Sequence, residues 1–74
     1  MADKTLDCKG QNCPMPVLKT KKALDGMQAG ETILIEITDK GSKTDIPALL
    51  KRTGNELVEL TEAGGVFKFL IKKG

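Results

Sequence analysis

The chain reads as a two-layer α/β sandwich of the α+β class, with a mixed four-stranded sheet and two helices on one face in the order βαβαββ. Three observations predict it. Ile33, Ile35 and Ile37 alternate with Leu34 and Glu36, the period of two of a half-buried strand. Two segments, residues 13 to about 25 and a shorter one around Ile46, Leu49 and Leu50, instead space their apolar residues at helical intervals. Near the C-terminus, two strand-like runs flank Gly64-Gly65, as in a hairpin.

Each element follows from its residues. Thr5-Leu6-Asp7-Cys8 is a short strand ended by Lys9-Gly10-Gln11-Asn12. The helix that follows carries Val17, Thr20, Leu24 and Met27 on one stripe, and Gly26 and Gly30 close it. Residues 31–38 form the isoleucine strand. Residues 39–43 are polar and read as a loop, after which Ser42 or Thr44 caps a helix with Pro47 in its first turn and Gly54 just past its end. Residues 56–61 and 66–72 are strands joined through Glu62-Ala63-Gly64-Gly65. The last strand is the most apolar and belongs inside the sheet. Crossovers of one hand put both helices on the same face.

Composition narrows the function. With 74 residues, 39% of them hydrophobic and 30% charged, the chain is one soluble domain spanning residues 1–74. It has no apolar run near the roughly 20 residues of a membrane span. Phe67 and Phe69 are the only aromatic residues, so Val, Ile, Leu and Met build the core, and a deep enclosed active site is not expected. Histidine is absent, which removes Ser/His/Asp and Cys/His catalysis and the commonest metal ligand. No metal or cofactor is expected. A formal charge of +2 is too mild to mark a nucleic-acid binder. The N-terminal Met1-Ala2-Asp3-Lys4-Thr5 lacks the pattern of a signal peptide, so the expected location is the cytoplasm, where Cys8 and Cys13 remain thiols.

Cys13-Pro14-Met15-Pro16 is the unusual feature. Proline suits a first helical turn because its φ is already helical and the missing N–H has no partner there. With Pro14 as the first helical residue, Cys13 is the N-cap and its sulfur faces the positive end of the helix dipole, which favours the thiolate. Lys9 is a candidate cation beside it. Pro16 offers no amide, so the expected shift in pKa is moderate, and a delay of the helix at Met15, the residue before Pro16, leaves Cys13 further from the dipole. Cys8, at a strand end, reads first as a packing residue and second as a resolving thiol. Cys-x4-Cys without a second pair is poor evidence for zinc. Lys40-Gly41-Ser42-Lys43-Thr44 lacks the spacing of a phosphate loop and reads as solvated. Met15, Lys19 and Lys22 share a helical stripe opposite Val17, Thr20 and Leu24, and with Lys9 they form a candidate partner-docking rim. Lys51 and Arg52 fall on an outer helix face.

The run Leu6-Asp7-Cys8-Lys9-Gly10-Gln11-Asn12-Cys13-Pro14-Met15-Pro16-Val17-Leu18-Lys19-Thr20-Lys21-Lys22-Ala23-Leu24 resembles the N-terminal signature of the TusA/SirA/YedF family of small sulfur-carrier proteins, with its Cys-Pro-x-Pro motif. The resemblance continues through Gly30-Glu31, Thr44-Asp45-Ile46-Pro47, Gly54-Asn55-Glu56-Leu57 and Phe69-Leu70-Ile71-Lys72-Lys73. It implies a fold like the C-terminal domain of translation initiation factor three. It also implies that Cys13 accepts sulfane sulfur as a persulfide from a cysteine desulfurase or a rhodanese-like protein. The sulfur then passes to an acceptor protein in tRNA thiolation, molybdenum-cofactor biosynthesis or sulfur oxidation, so the chain acts as a sulfurtransferase within a relay. Cys8 departs from the thiolation carriers, which have a small non-cysteine residue there, and is commoner in members resembling YedF, some of them linked to selenium metabolism.

Two other functions fit the residues. One is a dithiol redox protein in which Cys13 attacks and Cys8 resolves. The other is a non-enzymatic module that binds RNA or a regulatory protein through its basic helix faces, although it lacks an aromatic platform for stacking bases.

Overall fold

The computed structural model describes residues 3–11 and 15–74. Six elements follow one another: β1 (Lys4–Cys8), α1 (Met15–Asp25), β2 (Thr32–Ile37), α2 (Ser42–Thr53), β3 (Glu56–Ala63) and β4 (Val66–Lys72). The strands form one sheet in the order β1-β2-β4-β3. β1 runs parallel to β2, in register from Lys4 opposite Ile33 to Cys8 opposite Ile37. β4 is antiparallel to both β2 and β3. The predicted fold is therefore the observed one, with β4 inside the sheet.

The strand pattern explains the layers. On β2, Ile33, Ile35 and Ile37 are buried while Thr32, Leu34 and Glu36 are half-buried. β4 alternates in the same way, with Phe67, Phe69 and Ile71 buried. Register places Ile33 opposite Ile71, Ile35 opposite Phe69 and Ile37 opposite Phe67, so six large side chains form one continuous apolar surface. Leu24 from α1, Met27 just beyond it, and Ile46 and Leu50 from α2 cover that surface. The two helices touch each other as well as the sheet. Among the described residues, no helix lies on the other sheet face.

Several boundaries differ from the expectations. α2 begins at Ser42, within the stretch read as a solvated loop, and neither Ser42 nor Thr44 caps it. Gly41 holds the cap position without a side-chain hydrogen bond. The reason lies in the preceding turn: the amides of Ser42, Lys43 and Thr44 donate to the carbonyls of Asp39, Lys40 and Gly41, so no hydroxyl is required there. Pro47 consequently lies inside the helix instead of in its first turn. At the other end Gly54, with φ 75°, forms a left-handed cap, and the amides of Gly54 and Asn55 both donate to the Leu50 carbonyl.

α1 ends at Asp25, and Met27 reaches the core from the turn that follows. The hairpin is tighter than expected, because Glu62 and Ala63 pair with Phe67 and Val66 and leave only Gly64 and Gly65 in the turn. Both have positive φ, 59° and 80°, as a two-residue hairpin turn of the right twist requires.

These layers predict a stability contrast. Ile35→Val, which removes one methylene from the centre of the sheet, should cost about 0.5–1.5 kcal/mol, whereas Val58→Ala on the exposed edge should change stability by less than about 0.5 kcal/mol. Urea unfolding of the two variants checks this.

Candidate functional site

Parallel pairing brings the C-terminal ends of β1 and β2 together at one edge of the sheet, with Cys8 opposite Ile37. The connection to α1 leaves from the first end and the connection to α2 from the second. Both helices therefore start on the same side of the molecule, and their N-terminal dipoles add there. Residues 12–14, including Cys13 and Pro14, lie in the first connection and outside the described residues.

The two flanks of that segment are well defined. On the strand side, the Lys9 amide donates to Asp7 Oδ1 at 2.9 Å and the Gln11 amide to the Cys8 carbonyl at 3.3 Å. Gly10, with φ 79°, makes the turn, and its amide donates to Thr38 Oγ1 at 2.8 Å, tying this connection to the end of β2. A residue with a side chain would be strained at that φ. On the helix side, Pro16 is buried and its carbonyl accepts a 2.7 Å hydrogen bond from Thr20 Oγ1, itself fully buried. That bond satisfies a hydroxyl that would otherwise be stranded in the core.

Cys8 sits at 0% exposure among Ile37, Ile46 and the rest of the core, and its thiol is free. Burial pushes the thiol pKa up; the Lys19 ammonium pulls the other way and the Asp7 carboxylate adds to the rise. The neutral, protonated thiol is the favoured form, the opposite of what a nucleophile needs.

Of the remaining expected site residues, Lys9 precedes α1, Met15 begins it, Lys19 lies at its middle and Lys22 in its last turn. Lys9 is exposed and Lys19 half-buried, while Met15 (44% exposed) and Lys22 face solvent. Sequence reasoning passed over Leu18, which is 53% exposed. It stands three residues after Met15, so the two make an apolar pair on one helix face. The signal was present: Leu18 falls outside the Val17, Thr20, Leu24 stripe, and an apolar residue off the core stripe of a helix faces water or a partner. Lys43, in the stretch compared with a phosphate loop, stands 5.6 Å from the centre of the Phe67 ring and 3.8 Å from Glu62 Oε1. Lys51 and Arg52 are exposed. Among the described residues, no group of three or more His, Cys, Asp or Glu side chains could hold a metal ion, and no helix is long and apolar enough to cross a membrane.

The site's frame, among the described residues, is a small two-layer sandwich with two helix starts gathered at the sheet edge from which residues 12–14 lead into α1. Residues 4–73 match the family model described as sulfurtransferase TusA, and the chain belongs to that family. It is 51% identical over 71 residues to the sulfur carrier protein TusA of Allochromatium vinosum, covering 96% of this chain and 93% of that protein. It is 45% identical over 73 residues to the putative sulfur carrier protein YrkI of Bacillus subtilis, covering 99% and 97%. The crystal structure of a SirA-like protein from Desulfitobacterium hafniense superposes with a TM-score of 0.82 at 29% identity, over 96% of this chain and 97% of that one.

The burial of Cys8 makes two outcomes testable. In a Cys13→Ser variant, the remaining thiol should resist iodoacetamide in the native protein and react once urea exposes it. Because the folded pKa lies above that of an unfolded cysteine, Cys8 contributes its full stability below about pH 8.5, and the contribution is lost as the pH climbs from there through the raised folded value. The stability difference between the parent and Cys8→Ala should therefore shrink in alkali; an unchanged difference between pH 7 and 10 would contradict it.

Proposed function

We propose that this chain is a cytoplasmic sulfur carrier, acting as a single domain over residues 1–74, in which Cys13 holds the sulfur. The observation that carries the reading is the family match over residues 4–73, which encloses Cys13-Pro14-Met15-Pro16. The only other thiol is sealed in the core and biased toward its protonated form.

In the first step, the Cys13 thiolate attacks the outer sulfur of a persulfide on a donor, a cysteine desulfurase or a rhodanese-like protein. A sulfur–sulfur bond forms on Cys13 as the donor's own breaks, and the donor leaves as a thiolate. The second step is the same displacement with Cys13 as leaving group and the acceptor protein as nucleophile. Neither step needs a histidine of the carrier, since one thiolate replaces another and each partner can bring its own acid or base. Helix N-termini and neighbouring cations in general favour the anionic forms of both thiol and persulfide. Buried Cys8 suits this scheme, because a reactive thiol five residues away would displace the stored sulfur and form a disulfide.

Donor and acceptor dock on the face of α1 that begins at Met15. Met15 and Leu18 supply an apolar centre and Lys9, Lys19 and Lys22 a basic rim, the arrangement of a small transient interface. Met15 is flexible enough to meet more than one partner.

Incubation with a cysteine desulfurase and cysteine should add one sulfur, about 32 Da, to the intact protein; failure of the parent to gain this mass with any desulfurase or rhodanese would overturn the reading. For docking, Lys19→Glu/Lys22→Glu should slow transfer from the donor about tenfold or more at low salt, with melting temperature and reaction with a small thiol reagent nearly unchanged. Leu18→Asp should slow transfer at every salt concentration. A transfer rate indifferent to salt and to both variants would exclude this surface.

A further inference from the structure

Strand β3 closes the sheet on the side away from β1, so among the described residues one side of its backbone has no neighbouring strand. Natural edges are guarded by shortness, by charged side chains, lysine above all, by proline, or by bulges. At eight residues β3 is the longest strand of the sheet and contains neither Lys nor Pro. Its one irregularity lies near its start, between Leu57 and Glu59; from Glu59 to Ala63 it pairs regularly with β4. The charges over the second half of the strand are those of Glu59 and Glu62, which guard it against an acidic edge and not against a basic one.

The side chains along this edge sort by register. Leu57 and Leu60 lie opposite Ile71 and Phe69, on the helix side. Leu60 remains 36% exposed although Phe69 beside it is fully buried, because no strand stands beyond it. Glu56 and Glu59 lie opposite Lys72 and Leu70, on the helix-free side. Among the described residues neither has a basic group within ion-pair distance, in contrast to Glu62, which reaches Lys43. Val58, at the bulge, is 47% exposed.

We propose that the free edge of β3 is a docking site for an extended partner segment in which basic and apolar residues alternate, added to the sheet as a fifth strand. Main-chain hydrogen bonds supply affinity in such strand addition, and the side chains on the two faces supply specificity. The period of two in a strand sends the apolar residues of the segment over Leu60 on the helix side. Its lysines or arginines then fall beside Glu56 and Glu59 on the other. Charge also selects against a second copy of this chain at the same edge: a two-fold pairing of β3 with itself would gather the glutamates of both copies on one face, and like charges across strands destabilise. The site is at the opposite end of the strand order from β1 and does not depend on the chemistry of Cys13.

The test uses a fluorescein-labelled hexapeptide alternating lysine and valine, its glutamate-for-lysine counterpart, and amide NMR of the whole chain. The lysine peptide should bind with shifts centred on the amides of residues 59–63, and the glutamate peptide should not. Glu56→Lys/Glu59→Lys should weaken binding about tenfold or more without lowering the melting temperature, and Leu60→Asp should weaken it too. Equal binding of both peptides, shifts centred on α1 or β1, no binding at all, or a concentration-dependent dimer protecting β3 amides from exchange would each overturn the proposal.

Discussion

The parallel ladder between β1 and β2 is the constraint on which the remainder depends. β1 has only five residues, and of these Leu6 is half-buried and Cys8 fully buried, while the others are exposed. A strand so short and so open gains little from its own length; it is held by the ladder and by the sealing of its last side chain in the core. That seal fixes where β1 stops. The Gly10 amide then fixes the direction in which the chain leaves, through the Thr38 hydroxyl at the end of β2. Because the two strands run the same way, both helices must begin at this edge, and the edge acquires the positive ends of two helix dipoles.

This arrangement separates two cysteines that the sequence places only five residues apart. Cys8 contributes its sulfur to the core, where burial outweighs the Lys19 charge and keeps the thiol protonated. On the proposed reading, Cys13 carries the reactive sulfur in the connection beyond. The two thiols are thus assigned opposite roles, and what takes Cys8 out of the chemistry is its desolvation in the core. On the proposed reading no enclosed pocket is needed, since a carrier enters the sites of its partners instead of enclosing a substrate. A face with Met15 and Leu18 exposed beside lysines fits that use.

Much of the fold was legible in the sequence, for identifiable reasons. The alternation of Ile33, Ile35 and Ile37 survives intact because β2 is covered on one face only. The apolar run of β4 placed it inside the sheet, and the two glycines at 64 and 65 located the hairpin. The start of α2 was less legible: backbone carbonyls of the preceding turn do the work of a capping hydroxyl, and Ser42 goes into the core, so the polar letters there pointed outward when one of them points in. The extra two residues of β3 were hidden because Glu62 and Ala63 are weak strand formers held by pairing with Phe67 and Val66. The Leu57/Glu59 irregularity left no mark in the pattern. At the site, the motif announced Cys13 and its prolines, whereas the pattern was not followed to Leu18, whose place off the Val17, Thr20, Leu24 stripe signals its exposure. The half-burial of Lys19 could not be read from helix periodicity alone, since it depends on how α1 leans over the end of β1.

The division of labour between the two cysteines is the central claim, and locating the carried sulfur tests it most directly. Protein loaded by a cysteine desulfurase would be alkylated, digested and mapped in the parent, Cys8→Ala and Cys13→Ala forms. The account predicts the added sulfur on the peptide containing Cys13, retained in Cys8→Ala and lost in Cys13→Ala. Sulfur found on Cys8, or loading that survives Cys13→Ala and vanishes in Cys8→Ala, would contradict it.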